Sequence, residues 1–506
     1  MNLRRDAKNL AQAVAADWPV IFGVLVFALG LWAQPAALVG AFYDDGIYAV
    51  LAKSLAEGRG FHYIHLPGAP AAVHYPVLYP AALSVLWRIW PSFPSNVALF
   101  QVFDCAVLSL AACLLAIHAR RWKAPSLVQY VMLPAGFVAF PLLTIVGVRF
   151  SEPMFLALAA GAMLATDASG PALRLAAVAG LLAGLATLTR SIGVTIIGGV
   201  VLGLWIRHGW RAAAVGMGVA ALLVVPWFAW VAGHAGEVDP RLSANYGSYA
   251  TEASQAGIGA FLAGLDLRAL GPPARLVIAG NSAWLRLPFE LLLLGALVRG
   301  GVLAFPRAPG LVAGLSAYVL MVTVWPYAPD RFMWIVLPWL GCLAGLALHD
   351  AWYRGRAWRV VAGGLAAVLC VGFVPREATS LASRSFAATA EGISQPSRLL
   401  VPAIQSGTPE DAVIAAEGEA LIYLYTGRVA VPNALFRWKG RTTEAYPADS
   451  VRAFLCESGV THVALSGPAS DGAGTVEWLL AQAPAQAAPL FSVDRGPSLY
   501  RLACRR

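Results

Sequence analysis

The stretch Ala41-Phe42-Tyr43-Asp44-Asp45-Gly46-Ile47-Tyr48-Ala49-Val50-Leu51-Ala52-Lys53-Ser54-Leu55 decides how the rest of the chain is read. It follows an apolar run, Trp18 to Val39, that is long enough to cross a bilayer. Two neighbouring carboxylates at the mouth of a membrane span are costly unless they are hydrated, paired or used.

Composition sets the class. The chain has 506 residues, 59% of them hydrophobic and 12% charged, with a mean hydropathy of +0.67. Soluble domains carry about 25% charged residues, so this is the composition of a polytopic membrane protein. The net charge of +9 does not point to nucleic acid, because the basic residues stand in short clusters between apolar runs. Trp18 to Val39 is expected to be retained as a span, being too long for a signal-peptide core and lacking a convincing cleavage site.

Eleven apolar segments are expected to span: 18–39, 97–117, 127–144, 152–167, 174–189, 191–206, 212–232, 281–298, 310–326, 332–349 and 357–374. Arg4, Arg5 and Lys8 place the N-terminus in the cytoplasm. The basic clusters at Arg120-Arg121-Lys123, Arg207/Arg211, Arg299/Arg307 and Arg354/Arg356/Arg359 then all fall on cytoplasmic loops. The agreement requires residues 76–91, short and proline-flanked, not to cross. Like the segment 46–57, they are read as an amphipathic helix at the outer interface. Residues 1–374 are therefore expected to form a transmembrane domain with a first outer loop at 40–96 and a long outer loop at 233–280.

An odd number of spans puts residues 375–506 outside. There Val413–Ala416, Val429–Val431, His462–Leu465 and Leu490–Val493 read as strands. Glu419–Thr426, Asp449–Ser458 and Thr475–Gln482 read as helices between them. The expectation is a small extracytoplasmic α/β domain, without a glycine-rich phosphate loop. Cys456 and Cys504 could pair in that compartment. Cys105, Cys113, Cys342 and Cys370 lie in apolar runs and read as small core residues.

The outer side collects the ionisable residues: Asp44, Asp45, His62, His65, His74, Arg149, Glu152, Arg190, Asp330 and Arg331. Neighbouring helical residues point about 100° apart, so the two aspartates can have different jobs. One can act as a general base towards an acceptor hydroxyl while the other caps the following helix. The plainer alternative is that both only cap. Arg331, Arg190 and Arg149 are candidate phosphate ligands, because a guanidinium fork suits phosphate oxygens; alternatively they snorkel to headgroups. His74, Tyr75 and Tyr79 could line a sugar site or belong to the interfacial aromatic belt. The histidine spacing fits no strong zinc motif, and no metal site is assigned.

These residues fall in an ordered set of motifs. Tyr43-Asp44-Asp45-Gly46-Ile47-Tyr48 is followed by Ala52-Lys53-Ser54-Leu55 and by Tyr75-Pro76-Val77-Leu78-Tyr79-Pro80. Arg149-Phe150-Ser151-Glu152-Pro153, Gly184 to Arg190, and Arg331-Phe332 running into Leu337-Pro338 complete the set. In order and spacing it resembles the GT-C superfamily of polyprenyl-phosphate-sugar glycosyltransferases. The match is to the bacterial branch similar to protein O-mannosyltransferases and lipid A aminoarabinose transferases. The resemblance covers about residues 18–350, and Tyr423 to Arg428 in the outer domain is similar to a recurrent segment of such proteins. It implies a GT-C-like fold with Asp44 as the base. His74-Tyr75 stands where the family often has a lysine, which shifts weight onto the arginines.

The implied activity is transfer of a monosaccharide from a polyprenyl-phosphate donor to an acceptor hydroxyl at the outer face of the cell (inner) membrane, with inversion. A phosphate leaves readily as an anion and needs positive charge rather than an acid partner. The catalytic expectation is thus Asp44 with Asp45; donor-phosphate binding by Arg331, Arg190 and Arg149; and substrate binding by His74, Tyr75, Tyr79 and Glu152. No obligatory cofactor is expected beyond the lipid-linked sugar, with divalent-metal dependence open. The partners are that donor, an acceptor glycan, lipid or protein, and membrane lipid, without nucleic acid. A ligase or polymerase using a lipid-diphosphate oligosaccharide is the alternative. A transporter fits less well, since its charges would sit near the bilayer midplane in two similar halves.

Overall fold

A computed structural model describes residues 3–249, 271–278, 283–325, 328–439, 442–468, 489–502 and 504, together with 472, 474 and 476. Among the described residues each of the eleven apolar segments lies largely on helix, although the first helix ends at Ala33, short of Val39. Among the described residues, six helices are long and apolar enough to cross a membrane: Val97–Arg121, Ala172–Thr189, Ser191–His208, Trp210–Glu237, Arg286–Ala304 and Arg356–Ser383. The segment read as a single span at 127–144 is two pieces, Val128–Val138 and Phe140–Gly147, bent by 53°. Proline causes the break: the Pro141 ring would meet the carbonyl four residues back in a continuous helix. Asp17–Ala33, Glu152–Thr166 and Pro309–Val324 are shorter apolar helices.

The bundle holds one large apolar core around Leu108, Phe137, Leu142, Phe155, Leu156 and Trp339. Its outside is apolar as well, with Leu222, Leu291, Leu320, Val360 and Val371 exposed. Helices that are apolar all round are those of a membrane interior. Close approach inside the bundle depends on small residues. The helix Val194–His208 meets Pro309–Val324 at Gly199, where an added Cβ would stand 2.5 Å from the Gly314 Cα.

Two short helices of the segment expected to be the first outer loop, Asp44–Ala56 and Leu78–Ile89, pack on each other. Leu78–Ile89, read from the sequence as an interfacial helix, leaves Val85 and Ile89 exposed. Asp44–Ala56 differs from that reading, because Asp45 to Ala52 are all buried. The covering layer comes from the far end of the chain. Ala420, Tyr423 and Leu424 join Ile47, Tyr48 and Leu51 in a single cluster.

Beyond Arg356–Ser383 the chain continues as a second long helix, Ser385–Gly407, before its strands begin. The expected division between residues 374 and 375 therefore falls inside a helix. The sheet runs β2-β1-β5-β7-β6, formed by β1 (Ile414–Ala416), β2 (Ala430–Pro432), β5 (His462–Leu465), β6 (Phe491–Ser492) and β7 (Ser498–Arg501). Strands β2, β1 and β5 are parallel, whereas β7 is antiparallel to both neighbours. A separate antiparallel hairpin, β3 (Phe436–Lys439) with β4 (Thr442–Ala445), lies outside this sheet. The expected strand at Leu490–Val493 shortens to β6, while β3, β4 and β7 were not anticipated. The expected helix Thr475–Gln482 and most of the 250–280 part of the long outer loop lie outside the described residues.

Cys456 and Cys504 form a disulfide, with their Cα atoms 5.4 Å apart. Cys105 and Cys342 are buried as expected of small core residues, but Cys370 is exposed on its helix.

A Gly199→Val substitution should push the two helices apart and cost about 1–3 kcal/mol. It should lower the melting temperature in detergent, whereas Gly198→Ala, whose Cβ would meet nothing within 4 Å, should not. Equal melting of the two variants would contradict the packing described.

Candidate active site

The corner before Asp44 is built by local backbone chemistry. Tyr43 holds a left-handed conformation, φ 67°, which non-glycine residues adopt only when surroundings impose it. Asp45 imposes part of it. Its Oδ2 accepts from the Gly40 N–H at 2.7 Å and its Oδ1 from the Phe42 N–H at 3.0 Å, closing the 40–45 turn. Gly40, at φ 95°, lies so close to Leu421 that a side chain there would collide with it. Burial lifts the Asp45 carboxyl to about 6, against the pull of Arg149 and the two backbone N–H groups. Asp45 is thus turned into the protein, and Asp44 is the member of the pair that faces open space.

That space is a cavity of about 450 Å³. Tyr43, Asp44, Tyr48, His74, Tyr75, Arg190 and Arg331 line it together with Tyr249, Trp325, Phe332, Phe436, Trp438 and Thr443. Arg331 enters from the helix Asp330–Ile335, and Arg190 from the extended residue that ends Ala172–Thr189. Arg331 Nη1 meets Asp44 Oδ2 at 2.5 Å, and its Nε donates to Glu152 Oε1. Arg190 Nη1 reaches the same Glu152 oxygen at 2.8 Å and the Ser151 hydroxyl at 3.2 Å. Tyr75 donates to Asp44 Oδ1 at 2.8 Å. The guanidinium of Arg331 stacks 3.6 Å from the centre of the Phe150 ring.

The charges nearly balance, with two carboxylates against two guanidinium groups. Burial raises the Asp44 carboxyl, but the Arg331 charge and its hydrogen bond, with the Tyr75 hydroxyl, outweigh it and hold Asp44 below its ordinary value. The donors are not exhausted. Arg331 Nη2 and Arg190 Nε are buried with no hydrogen-bond partner among the described residues. A buried unmet donor is costly, so a cavity edged by two of them suits an anion.

Asp44, Arg190, Arg331, Glu152, His74 and Tyr75 are therefore brought together. His74 is held by its Nδ1 against the Gly247 carbonyl at 2.7 Å, with its ring 4.5 Å from that of Tyr249. Arg149 and Tyr79 lie behind the cavity. Arg149 is buried in a left-handed conformation, φ 57°, just before Phe150-Ser151-Glu152. Tyr79 hydrogen-bonds the Arg149 carbonyl at 3.1 Å and both oxygens of Asp104, at 3.0 and 3.1 Å. Asp104 was missed in the sequence, although an acidic residue inside the apolar run 97–117 was a visible signal.

A second buried network was missed as well. Tyr246 donates to Glu419 Oε1, and His65 Nε2 lies 2.9 Å from the Tyr246 hydroxyl. Glu419 comes from the C-terminal layer, Tyr246 from the 233–280 segment and His65 from the 40–96 segment, and their neighbour Tyr43 adjoins Asp44. Burial lifts Glu419 to about 7, opposed by hydrogen bonds from Tyr246 and Tyr43, and lowers His65 to about 3. Among the described residues, no group of three or more His, Cys, Asp or Glu could hold a metal ion.

Comparison with solved structures places this architecture. ArnT from Cupriavidus metallidurans in the apo state is similar over 96% of this chain and 98% of its own, with a TM-score of 0.58 and 15% identity. The same protein bound to undecaprenyl phosphate gives a TM-score of 0.57 at 14% identity, with the same coverage. The archaeal oligosaccharyltransferase AglB from Archaeoglobus fulgidus, in complex with an inhibitory peptide and a dolichol-phosphate, is also similar. There the TM-score is 0.53 and the identity 11%, over 90% of this chain and 70% of that one. No family model and no curated protein sequence matches the chain. At these identities the likeness is one of fold. The chain shares the fold of these structures: an α-helical arrangement with several helices long and apolar enough to cross a membrane, carrying a small strand-containing C-terminal region.

The raised carboxyls fix a pH dependence. A carboxyl near 7 when folded and near 4.3 when unfolded gives stability that is complete below the lower value and lost as pH rises through the higher one. The melting temperature of the chain should therefore fall between about pH 5 and 8. Glu419→Gln, which stays neutral and can still accept from Tyr246, should flatten part of that slope; an unchanged slope would contradict the assignment.

Proposed function

We propose that this chain is a membrane glycosyltransferase that moves a monosaccharide from a polyprenyl-phosphate donor to an acceptor hydroxyl on the outer face of the membrane. The observation that carries the reading is the contact between Arg331 and Asp44, beside buried guanidinium donors that have no partner among the described residues. In the resting arrangement Asp44 is neutralised and a poor base. An incoming phosphate competes for Arg331, and as that guanidinium turns to the anion Asp44 loses its strongest partner. Its affinity for a proton rises just when the acceptor must be deprotonated.

The step balances on these groups. The acceptor oxygen attacks the anomeric carbon and gives its proton to Asp44. The bond from that carbon to the phosphate oxygen breaks, and its electron pair leaves with the polyprenyl phosphate. Arg331 and Arg190 stabilise the leaving anion. Glu152 is the fixed anchor of both arginines, which keeps them in place when Asp44 lets go. In-line attack inverts the anomeric centre.

A place for the lipid supports the reading. A second cavity of about 460 Å³ is apolar almost throughout, lined by residues such as Val138, Leu276, Leu293, Leu297, Leu340 and Phe373. Leu337, which follows the Arg331-bearing helix almost directly, lines it too. A lipid chain lying there would reach, at Leu337, the segment just after the helix that carries Arg331. The fold likeness to a protein solved with undecaprenyl phosphate points the same way. The Cys456–Cys504 disulfide supports an extracytoplasmic, oxidising location for the C-terminal layer, in the inner membrane orientation read from charge.

With radiolabelled polyprenyl-phosphate sugar, Asp44→Asn should cut transfer by about 100-fold or more while binding of undecaprenyl phosphate persists. Arg331→Lys, which keeps charge but loses the fork, should weaken lipid-phosphate binding. Unimpaired transfer by Asp44→Asn removes it as the base. Activity only with a lipid-diphosphate oligosaccharide would favour the ligase alternative, and a product of retained anomeric configuration by NMR would refute inversion.

A further inference from the structure

The β3–β4 hairpin stands apart from the C-terminal sheet, and its sequence explains why. Strand residues alternate sides at every second position. The register pairs Phe436 with Ala445, Arg437 with Glu444 and Trp438 with Thr443. Phe436, Trp438 and Thr443 therefore share one face, while Arg437 and Glu444 form an ion pair at 3.0 Å on the other. An aromatic hairpin face normally covers a core. Here Phe436 and Trp438 are only half-buried and Thr443 is exposed, and all three line the cavity that holds Asp44, Arg190 and Arg331.

The face is also fixed in position. Trp438 Nε1 donates to the Ala244 carbonyl at 3.4 Å, which ties the hairpin to the 233–280 segment. The Phe436 and Trp438 rings stand edge to face, with centroids 6.3 Å apart and planes at 87°. Two rings at right angles make a corner, and a polar hydroxyl lies beside it. Such a corner suits a flat ring whose faces are C–H and whose rim is hydroxyl.

We propose that this hairpin face is a wall of the acceptor subsite, and that the acceptor is a saccharide whose ring stacks on Phe436 and Trp438 while one hydroxyl reaches Asp44. The inference rests on the glycosyltransferase reading above and adds the substrate class. The acceptor, rather than the donor, is assigned to this wall because the groups that suit a phosphate stand on other elements. Arg331 comes from the helix Asp330–Ile335 and Arg190 from the end of Ala172–Thr189. The hairpin belongs to the C-terminal layer, outside the bundle. A polysaccharide and the head of a glycolipid offer the same ring chemistry.

The test uses the full chain in detergent and radiolabelled undecaprenyl-phosphate hexoses. The acceptors are lipopolysaccharide, the lipid-free oligosaccharide released from it, and a serine- and threonine-rich peptide. Label on the lipopolysaccharide alone identifies a glycolipid source; label on both saccharides shows that the ring suffices. Trp438→Ala should raise the saccharide KM about tenfold, the size of a lost aromatic contact. Binding of undecaprenyl phosphate should stay within twofold. Thr443→Trp, which fills the corner and keeps a strand-forming residue, should raise KM similarly without removing any packing. Label on the peptide only or on no saccharide, or an unchanged saccharide KM in both variants, overturns the proposal. Failure of the wild-type chain to bind undecaprenyl phosphate overturns the glycosyltransferase reading, and this inference with it.

Discussion

Arg331 is the group on which the site depends. One guanidinium touches Asp44 from the first outer loop and Glu152 from the head of a bundle helix, and it stacks on Phe150. Arg190 adds a second hold on Glu152. Carboxylates buried at the end of apolar helices need such partners, because an unpaired charge there costs several kcal/mol. The pairing makes the first outer loop inseparable from the bundle, although nearly three hundred residues separate Asp44 from Arg331 in sequence. In the reading proposed above, it also couples arrival of the donor to release of the base.

Two backbone corners hold the charges. Tyr43 and Arg149, both left-handed, stand immediately before Asp44 and before Phe150-Ser151-Glu152. Neither conformation is comfortable for a non-glycine residue, so each must be held from outside. Asp45 holds the first from within the turn, while Glu419, Tyr246 and Leu421 crowd it from the C-terminal layer and the second loop. Tyr79 and Asp104 hold the second. The C-terminal layer is thus part of the structure that sets the site, since Ala420 and Leu424 share a core with Ile47 and Leu51.

Much of this was legible before any coordinates. Charged residues at the ends of apolar runs are conspicuous, which is why Asp44, Glu152, Arg190 and Arg331 could be singled out and why they meet. Helix positions followed from the same runs. What could not be read was pairing. Nothing local says that Arg331 lies on Asp44, or that Asp45 folds back onto Gly40. Asp104 and the Phe436-Arg437-Trp438 alternation carried usable signals that an emphasis on span ends passed over. Glu419 carried none, because a glutamate opening a helix is ordinary until Tyr246 and Tyr43 are seen around it. The bend near Pro141 was hidden by apolar continuity from 127 to 144, and the burial of Asp44–Ala56 by a covering layer more than 350 residues away.

The account stands or falls on whether Arg331 changes partners when the lipid phosphate arrives. A structure of the wild-type chain with undecaprenyl phosphate measures this directly. The expected result is phosphate oxygens on Arg331 and Arg190, Glu152 still holding both arginines, and Asp44 released into the cavity. Phosphate bound elsewhere, with the Arg331–Asp44 contact intact, would contradict it.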